Sequence, residues 1–188
     1  APRNMVGMLQ RDWYPNGGPM DFSGLDADAR TRIAYQKYMQ DYLRTVHSID
    51  ENVGRILDYL DSSGLADNTI VVYTSDQGMM LGEHDHIDKR WIFDESQRMP
   101  FLIRYPEAIP AGSVSDDIVD NVDFAQTFLD YAGVDAPAGM QGRSFRPILC
   151  GSTPDDWRQS TYYRYWMHMS HHWVPAHYGI RTKDFKLV

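Results

Sequence analysis

The chain has 188 residues, a hydrophobic content of 43% and a formal net charge of 18 − 26 = −8 at pH 7. This composition is typical of a globular protein with a substantial core and excludes a disordered chain. The acidic balance argues against nucleic-acid binding, which depends mainly on neutralising phosphates. No apolar run approaches the roughly 18 residues of a membrane span, so we expect neither nucleic acid nor membrane as a partner.

The first elements in chain order are an irregular lead-in and a long helix. Residues 1–24 are rich in proline and glycine and show no sustained periodicity. A helix is predicted from an N-cap at Asp26 to a terminating glycine at Gly64, with Thr31 as a candidate break point. Its apolar residues recur every three or four positions, so we expect this stripe to be core. The stripe consists of Tyr42, Val46, Ile49, Val53, Ile56, Leu57 and Leu60.

Strands and a second helix follow. Thr69–Thr74 is short, β-branched and nearly uncharged, which predicts a strand buried on both faces, as in a parallel sheet covered by helices. A second strand is predicted at Phe101–Tyr105, and a helix at Val122–Ala132 that Gly133 ends. Near the end of the chain, residues 161–166 and 178–188 alternate like strands. We expect an α/β protein with residues 25–150 as its main domain and residues 151–188 as the start of a C-terminal β subdomain.

The strand at Thr69–Thr74 leads directly into Ser75-Asp76-Gln77-Gly78. Ligands of open α/β sheets bind outside the carboxyl ends of the strands. Asp76 and Gln77 would supply two oxygen ligands on a tight turn, which suits a hard cation such as Ca²⁺ better than Zn²⁺. Taken alone, an aspartate in this position is more often the N-cap of a helix.

The continuation of this turn resembles the second sequence signature of type I sulfatases, the formylglycine-dependent enzymes of the alkaline-phosphatase superfamily. The signature covers Thr69–Gly78, Leu81-Gly82-Glu83-His84 and Asp88-Lys89-Arg90. The similarity, which extends to bacterial glycan sulfatases, spans roughly residues 30–188. Further stretches that carry it are Val53-Gly54-Arg55-Ile56-Leu57, Leu65-Ala66-Asp67-Asn68-Thr69, Asp123-Phe124, Gln141-Gly142-Arg143-Ser144-Phe145 and Tyr178-Gly179-Ile180-Arg181-Thr182.

The resemblance implies a role for four residues. Asp76 matches a calcium-binding aspartate of the family, and Gln77 occupies the position of a second calcium ligand. Lys89 matches a lysine that contacts the sulfate oxygens, whereas composition alone would favour a solvated surface lysine. His177 lies where many sulfatases place a histidine at the rim of the substrate pocket. A divalent cation and a fixed ammonium would both stabilise the negative charge that develops during cleavage of a sulfate ester.

Other parts of the family's site have no counterpart in these residues. The nucleophile motif, Cys/Ser-x-Pro-Ser-Arg, and the first pair of calcium-binding aspartates lie toward the N-terminus of a full-length sulfatase. We therefore expect no catalytic residue in this chain and no activity without a nucleophile. The resemblance implies a partial, mixed alkaline-phosphatase-like sheet with flanking helices and a small C-terminal antiparallel region. It also implies Ca²⁺ in the complete enzyme and a formylglycine made from a Cys or Ser outside this chain.

The expected partners are a sulfated small molecule or glycan and a polypeptide that covers the incomplete sheet, either a second copy or the missing N-terminal segment. Both ends of the chain look like cuts in a longer sequence, so a missing export signal carries no weight. We expect a periplasmic or extracellular parent, although the single cysteine, Cys150, is compatible with either redox compartment. Alternative functions are a phosphoesterase or phosphonate hydrolase of the same superfamily, and a non-catalytic binding module.

Several further residues have side chains that could take part in chemistry. Glu83 and His84 are expected to stabilise their turn, with a catalytic role as the alternative, and a role for His86 toward substrate has no support. Cys150 lacks the proline and arginine of the formylglycine motif and is expected to be a loop residue. A histidine-rich loop could bind a transition metal, form a sugar-binding rim or be merely loop. Its residues are Trp166, His168, His171, His172 and Trp173.

Overall fold

The computed structural model describes Leu9, residues 22–170 and residues 172–188. His171 and most of the predicted lead-in at residues 1–24 therefore lie outside the described residues. The chain divides into two compact units, of which the first contains residues 1–66, 77–99 and 167–176 and the second contains residues 67–76, 100–166 and 177–188. The domain boundaries expected after residues 24 and 150 stay predictions.

Helix α1, Ala27–Ser62, is the longest element of the first unit. Asp26 caps it as predicted, because its carboxylate accepts a hydrogen bond from the backbone N–H of Ala29 at 2.8 Å. Gly64 follows the helix with a φ of +69°, the left-handed conformation that glycine adopts readily at a helix end. The break considered at Thr31 does not occur. The Thr31 hydroxyl instead donates to the Ala27 carbonyl at 3.0 Å within the continuous helix.

The apolar stripe of α1 is not core, which corrects the prediction. Within α1, all of whose residues are described, only Ala34 and Tyr38 are buried. They pack near the start of the helix in a small core with Leu9 and Ile87. The later stripe residues are half-buried or exposed, with exposed fractions of 40% at Val46, 42% at Ile49 and 58% at Ile56. None of the described helices is long and apolar enough to cross a membrane.

The rest of the first unit contains a short hairpin and a one-turn helix. Strands β2, Met80–Leu81, and β3, Ile87–Asp88, pair antiparallel, and Met80 lies opposite Asp88. The backbone N–H of Gly82 donates to the carbonyl of His86 at 2.9 Å and closes the loop between the strands. Helix α2, Asp94–Gln97, follows the hairpin.

The second unit begins with strand β1, Val71–Thr74, which confirms the strand predicted at residues 69–74. Its partner is β4, Phe101–Arg104, and the two strands are antiparallel. The expectation of burial on both faces was wrong, since Tyr73 is 37% exposed. Among the described residues β1 pairs with β4 alone, and none of its four residues is buried.

Two helices enclose the core of the second unit. A 3₁₀ turn at Asn121–Asp123 leads into α3, Phe124–Tyr131, and Gly133 follows with a φ of +67°, as predicted for the end of this helix. Helix α4, Arg146–Leu149, contributes Ile148 to the core, where Phe145 and Trp157 are also buried. Aromatic rings dominate this core, which accounts for much of its buried area.

A buried carboxylate ties the segments of this unit together. Asp123 is fully buried and accepts hydrogen bonds from the backbone N–H groups of Asp120 and Arg143, each at 2.8 Å. Arg158 forms an ion pair with it and donates through Nη2 at 2.6 Å. A carboxylate with this many donors is satisfied in the interior, so its role is structural.

Three antiparallel strands complete the second unit. They are β5, Ser160–Tyr165, β6, His177–Thr182, and β7, Lys186–Leu187, in that order across the sheet. The strand predicted at residues 178–188 is thus two strands, because a tight turn at residues 183–185 reverses the chain. Phe185 donates its backbone N–H to the Thr182 hydroxyl at 2.9 Å in this turn. The expected α/β fold with a small C-terminal antiparallel region is confirmed.

Candidate functional site

The predicted metal-binding pair lies immediately after β1. Asp76 and Gln77 are both exposed and follow the carboxyl end of the strand at Thr74. None of the described residues 75–82 begins a helix, so the N-cap alternative for Asp76 does not hold. Asp76 is the last residue of a segment of the second unit, and Gln77 is the first of a segment of the first unit.

Hydrogen bonds within each unit fix the backbone on the two sides of the Asp76–Gln77 peptide bond. In the second unit, the amide of Asn121 donates to the backbone carbonyl of Asp76 at 3.0 Å. In the first unit, the backbone N–H of Gly78 donates to the carbonyl of Ser96 at 2.9 Å. A Cβ at Gly78 would lie 2.1 Å from the carbonyl oxygen of Glu95, so only glycine allows this close approach.

The donor chemistry of the pair fits part of a calcium site. A carboxylate and an amide carbonyl are both oxygen ligands of the kind that Ca²⁺ takes. The two side chains provide one negative charge, whereas Ca²⁺ takes 6–8 oxygen ligands. Asp76 and Gln77 would therefore hold calcium only together with donors that these two residues do not supply.

Lys89 lies in a loop whose backbone is strained. It is half-buried, follows β3 directly, and its neighbours Asp88 and Arg90 have φ values of +73° and +91°. Positive φ at non-glycine residues costs free energy and persists only where surrounding contacts enforce it. Every described non-glycine residue with positive φ lies in the first unit; these are His84, Asp85, Asp88, Arg90, Met169, His172 and Trp173.

A buried ion cluster enforces the conformation beside Lys89. Asp88 is 8% exposed, and its carboxylate pairs with the guanidinium of Arg90 and, at 3.1 Å, with Nε2 of His172. The cluster connects the segment at residues 77–99 with the segment at residues 167–176 inside the first unit. Asp88 and His172 thus position the loop that carries Lys89.

The loop between β2 and β3 is built from polar and aromatic contacts. The carboxylate of Glu83 accepts a hydrogen bond from the backbone N–H of Leu81 at 2.6 Å, which confirms a turn-stabilising role. His84 stacks on Phe93 with ring centroids 4.3 Å apart, and His86 stacks on Trp91 at 5.1 Å. Burial lowers the pKa of His86 below its usual value, against the opposing effect of Asp85. The imidazole of His86 is therefore neutral at pH 7.

His177 lies at the start of β6, half-buried between two tyrosine rings. Its ring centroid is 5.6 Å from that of Tyr163 and 5.8 Å from that of Tyr165, which is its cross-strand partner. The histidine is therefore held on the antiparallel sheet of the second unit. Its predicted role toward substrate stays a prediction.

The histidine-rich loop does not form a metal centre within the described residues. Nδ1 of His168 accepts a hydrogen bond from the backbone N–H of Ala176 at 3.1 Å, and His172 pairs with Asp88. His171 lies outside the described residues. The part of the chain that the structure describes contains no group of three or more His, Cys, Asp or Glu side chains that could hold a metal ion. Cys150 is exposed at the end of α4, as expected of a loop residue.

Sequence reasoning missed the roles of Asn121 and His172. Asn121 is 45 positions from its contact at Asp76, and no local pattern relates the two residues. For Asp88 a signal existed, because the run Asp88-Lys89-Arg90 places three charges directly after apolar Ile87. A buried carboxylate in such a run requires polar or charged partners, which here are Arg90 and His172.

Two protein-family models match the chain. The model described as sulfatase matches residues 4–134, and the model described as N-sulphoglucosamine sulphohydrolase, C-terminal, matches residues 82–188. Together they cover the turn at Asp76, the loop at Lys89 and the strand that begins at His177.

The chain is also similar to characterised enzymes and solved structures. It is 58% identical over 156 residues to N-acetylglucosamine-6-O-sulfatase from Bacteroides thetaiotaomicron, which covers 82% of this chain and 28% of that enzyme. A solved structure of a protein in complex with its substrate D-glucosamine-2-N,6-O-disulfate matches 94% of this chain and 35% of its own, with 51% identity and a TM-score of 0.82. Phosphonate monoester hydrolase from Silicibacter pomeroyi matches 98% of this chain and 38% of its own, with 27% identity and a TM-score of 0.75. The chain thus spans about a third of the length of these relatives.

Proposed function

This chain belongs to the sulfatase family of sulfuric ester hydrolases, and from that premise we propose that it is part of a longer enzyme that hydrolyses sulfate esters of glucosamine-type sugars. The observation that carries the proposal is 58% identity to an N-acetylglucosamine-6-O-sulfatase across 82% of the chain. The 156 aligned residues include the turn at Asp76 and Gln77 and the loop at Lys89 rather than a single motif.

The substrate class rests on three consistent similarities. One relative is named for the 6-O-sulfate of N-acetylglucosamine, and a solved relative holds a glucosamine that is sulfated at N2 and O6. The family model for residues 82–188 is described by N-sulphoglucosamine. A glucosamine sulfate is the substrate class that these three descriptions share.

In the complete enzyme, Asp76 and Gln77 would be two of the calcium ligands. Bound calcium would stabilise negative charge on the sulfate group, while the nucleophile, a formylglycine, would come from outside this chain. The protein's own contribution here is orientation. Asn121 fixes the carbonyl of Asp76, and the close approach of Gly78 to Glu95 fixes the residue that follows Gln77.

Lys89 would donate hydrogen bonds from its ammonium group to a sulfate oxygen. Its neighbour Asp88 contacts Arg90 and His172, so the guanidinium of Arg90 already compensates the carboxylate beside the lysine. An ammonium held by a strained, ion-paired loop needs little reorganisation when the sulfate arrives, and such preorganisation lowers a barrier that depends on charge. His177 would contact the sugar from the rim of the pocket.

A chimera tests this proposal. The chain would replace the aligned region of the B. thetaiotaomicron relative, and release of inorganic sulfate from N-acetylglucosamine 6-sulfate would be measured. We expect sulfate release that Lys89→Ala strongly reduces. A folded chimera that releases no sulfate from any glucosamine sulfate would contradict the proposed substrate class.

Phosphonate or phosphate ester hydrolysis is the second candidate. It is favoured by the similarity to a phosphonate monoester hydrolase over 98% of the chain. Against it stands Gln77, since a zinc-dependent relative would be expected to use histidine there. Assaying the same chimera on a phosphonate monoester separates the two reactions. A chimera that is inactive on both ester types but bound calcium would instead favour the non-catalytic binding module.

A further inference from the structure

The side chain of Asn121 contacts the backbone of the candidate calcium ligand Asp76. Its amide donates to the Asp76 carbonyl at 3.0 Å, although the two residues are 45 positions apart in the sequence. Within the described part of the chain this is the one hydrogen bond that the Asn121 side chain makes. Asp120 and Asp123 form the capping box of the turn before α3, so the start of this helix does not depend on the Asn121 amide. The contact with Asp76 is therefore the role that the structure gives to this side chain.

The contacted carbonyl belongs to the peptide unit that follows the Cα atom of Asp76. A peptide unit is planar, so a hydrogen bond to its oxygen limits rotation about the Cα–C bond of Asp76. The Asp76 carboxylate is carried by the same Cα atom, and rotation about this bond changes its direction relative to the following peptide unit. Metal sites gain affinity when outer residues hold the ligands in the binding orientation. The Asn121 amide can therefore preorganise Asp76 for calcium.

The turn that carries Asn121 is held by the guanidinium of Arg158. This group donates to the Asp123 carboxylate through both terminal nitrogens, at 2.6 Å through Nη2, and to the Asp120 carboxylate at 2.9 Å. Asn121 lies between these two acidic residues in the chain, and Asp123 is fully buried. A bidentate pair between arginine and a carboxylate is strong and specific in its geometry. Arg158 therefore fixes the turn on both sides of Asn121.

A close approach of two backbone segments also holds this turn. A Cβ at Gly142 would overlap the carbonyl oxygen of Val122 and lie 2.8 Å from the backbone nitrogen of Asp123. The backbone N–H of the next residue, Arg143, donates to the Asp123 carboxylate at 2.8 Å. A side chain orients a functional group precisely only when its own support is held by packing and hydrogen bonds. The exposed amide of Asn121 has such a support.

We propose that Asn121 and Arg158 are positioning residues that raise the affinity of the enzyme for calcium by acting through Asp76. Arg158 holds the turn, and Asn121 on that turn holds the backbone of Asp76 in the orientation that calcium requires. The inference rests on the proposed function, because it takes Asp76 as a ligand of the ion. It makes calcium affinity depend on an ion pair that lies outside the metal-binding turn.

The calcium affinity of the chimera with the B. thetaiotaomicron relative tests the proposal. The calcium-depleted chimera would be titrated with Ca²⁺ in competition with a chelator, so that the measurement does not depend on catalysis. We expect Asn121→Ala to weaken calcium binding by about tenfold, the lower end of the effect of residues that orient metal ligands. Asp76→Ala should weaken it further, because a charged ligand is lost.

Asn52→Ala is the matched control. The amide of Asn52 donates to the Ser48 carbonyl at 2.7 Å within α1, so this substitution also removes a hydrogen bond from an asparagine to a carbonyl. The calcium affinity of this variant should equal the parental value. If Asn121→Ala lowered the melting temperature of the calcium-free chimera but kept the parental calcium affinity, the contact would be merely structural and the proposal wrong.

A double-mutant cycle tests whether Arg158 acts through Asn121. Arg158→Lys keeps the positive charge but loses the planar bidentate pairing, so it should lower both the melting temperature and the calcium affinity. In the Asn121→Ala background the effect on melting should persist, whereas the effect on calcium affinity should disappear, because the amide that transmits it is absent. Additive effects of the two substitutions on calcium affinity would overturn the proposed role of Arg158.

The same measurements separate this inference from the proposed function. If Asp76→Ala weakens calcium binding and Asn121→Ala does not, the inference is wrong and Asp76 remains a calcium ligand. If neither substitution weakens binding, both the inference and the calcium role proposed for Asp76 are wrong. A chimera whose calcium affinity falls on Asn121→Ala, but which releases no sulfate from any glucosamine sulfate, would support the inference and contradict the proposed substrate class.

Discussion

Lys89 belongs to the stretch that resembles the sulfatase signature, and it lies in the strained loop after β3. Substitution of Lys89 therefore gives the most direct test of the candidate site. In the chimera, Lys89→Ala should lower kcat/KM for a glucosamine sulfate by about 10²–10³, by analogy with loss of an oxyanion-hole donor. Thermal stability should change little, because a half-buried lysine outside the core contributes about 0–1 kcal/mol. Lys89→Arg should restore activity only in part, since a planar guanidinium does not occupy the position of an ammonium.

Lys183→Ala is the matched control for this substitution. Lys183 lies 3.2 Å from Asp117 at the surface of the second unit, and its side chain is 44% exposed. Its removal should leave kcat/KM near the parental value. If Lys89→Ala kept parental turnover but melted several degrees lower, Lys89 would be structural and the sulfate contact would have to be withdrawn.

Gly78 offers a second test at the scale of a residue. A methyl group there would lie 2.1 Å from the carbonyl oxygen of Glu95, so Gly78→Ala should reduce the free energy of unfolding by about 1–3 kcal/mol. Gly54→Ala, in α1, meets nothing within 4 Å and should instead stabilise the chain by about 0.5–1 kcal/mol. Urea unfolding of both variants checks the pair. Equal effects of the two substitutions would show that the close approach at Gly78 is not rigid.

At this scale the sequence predicted the placement of residues that are contiguous with a recognisable element. The position of Asp76-Gln77-Gly78 directly after a strand was predictable because the apolar strand and the turn adjoin each other in the sequence. The contact between Asp88 and His172 could not be predicted from the sequence, because it depends on a fold that brings distant segments together. The charge run around Lys89 showed that a partner was needed but not which residue supplied it.

At the scale of elements, helices α3 and α4 are joined by one ionic contact. The Asp130 carboxylate of α3 accepts hydrogen bonds from the Ser144 hydroxyl at 2.6 Å and from the Arg146 guanidinium at 2.9 Å. These contacts, the Ser144 hydrogen bond first, hold the pKa of Asp130 below its ordinary value. The contribution to stability is therefore fully present above the unfolded-state pKa of about 3.9 and is lost as the pH falls through the folded-state pKa.

Ser144→Ala should test this pH dependence. Near pH 7 the variant should be less stable by about 0.5–1.5 kcal/mol, toward the lower end because the pair is partly exposed. The deficit should shrink as the pH falls below about 3.9 toward the lowered folded-state pKa of Asp130, because below that pKa the carboxyl is protonated in both proteins. Ser113→Ala removes a hydrogen bond of 2.8 Å to the Pro110 carbonyl, so its effect should not depend on pH. A Ser144→Ala deficit that is constant from pH 7 to pH 3 would contradict the assignment.

Element boundaries were predictable where a residue type itself determines the conformation. Asp26 precedes α1, Gly64 follows it, and Gly133 follows α3, as predicted. These positions were predictable because a capping carboxylate favours the start of a helix and a glycine with positive φ favours its end. The turn that separates β6 from β7 was not predicted, because Lys183-Asp184 contains no glycine or proline that would indicate a turn. Burial of the apolar stripe of α1 was also mispredicted, because periodicity identifies an apolar face but not what covers it.

At the scale of the whole molecule, the number of oxygen donors limits calcium binding. Asp76 and Gln77 would supply two of the 6–8 ligands that Ca²⁺ takes, and the two side chains together carry a charge of only −1. The isolated chain should therefore bind calcium weakly or not at all, whereas an active chimera should lose activity on chelation. Titration calorimetry checks the first expectation. Micromolar affinity in the isolated chain would mean that another carboxylate cluster binds the ion.

The unequal distribution of backbone strain between the two units has a consequence for directed evolution. Every described non-glycine residue with a positive φ lies in the first unit, and Asp88 and Arg90 flank Lys89. A library screened only for heat resistance should enrich glycine or asparagine at the strained positions outside the cluster of Asp88, Arg90 and His172, because both residues tolerate left-handed backbone. The same library screened for turnover should keep the charged residues, because they hold the lysine loop. Comparing the two enrichments would identify which strained positions are retained for activity at the expense of stability.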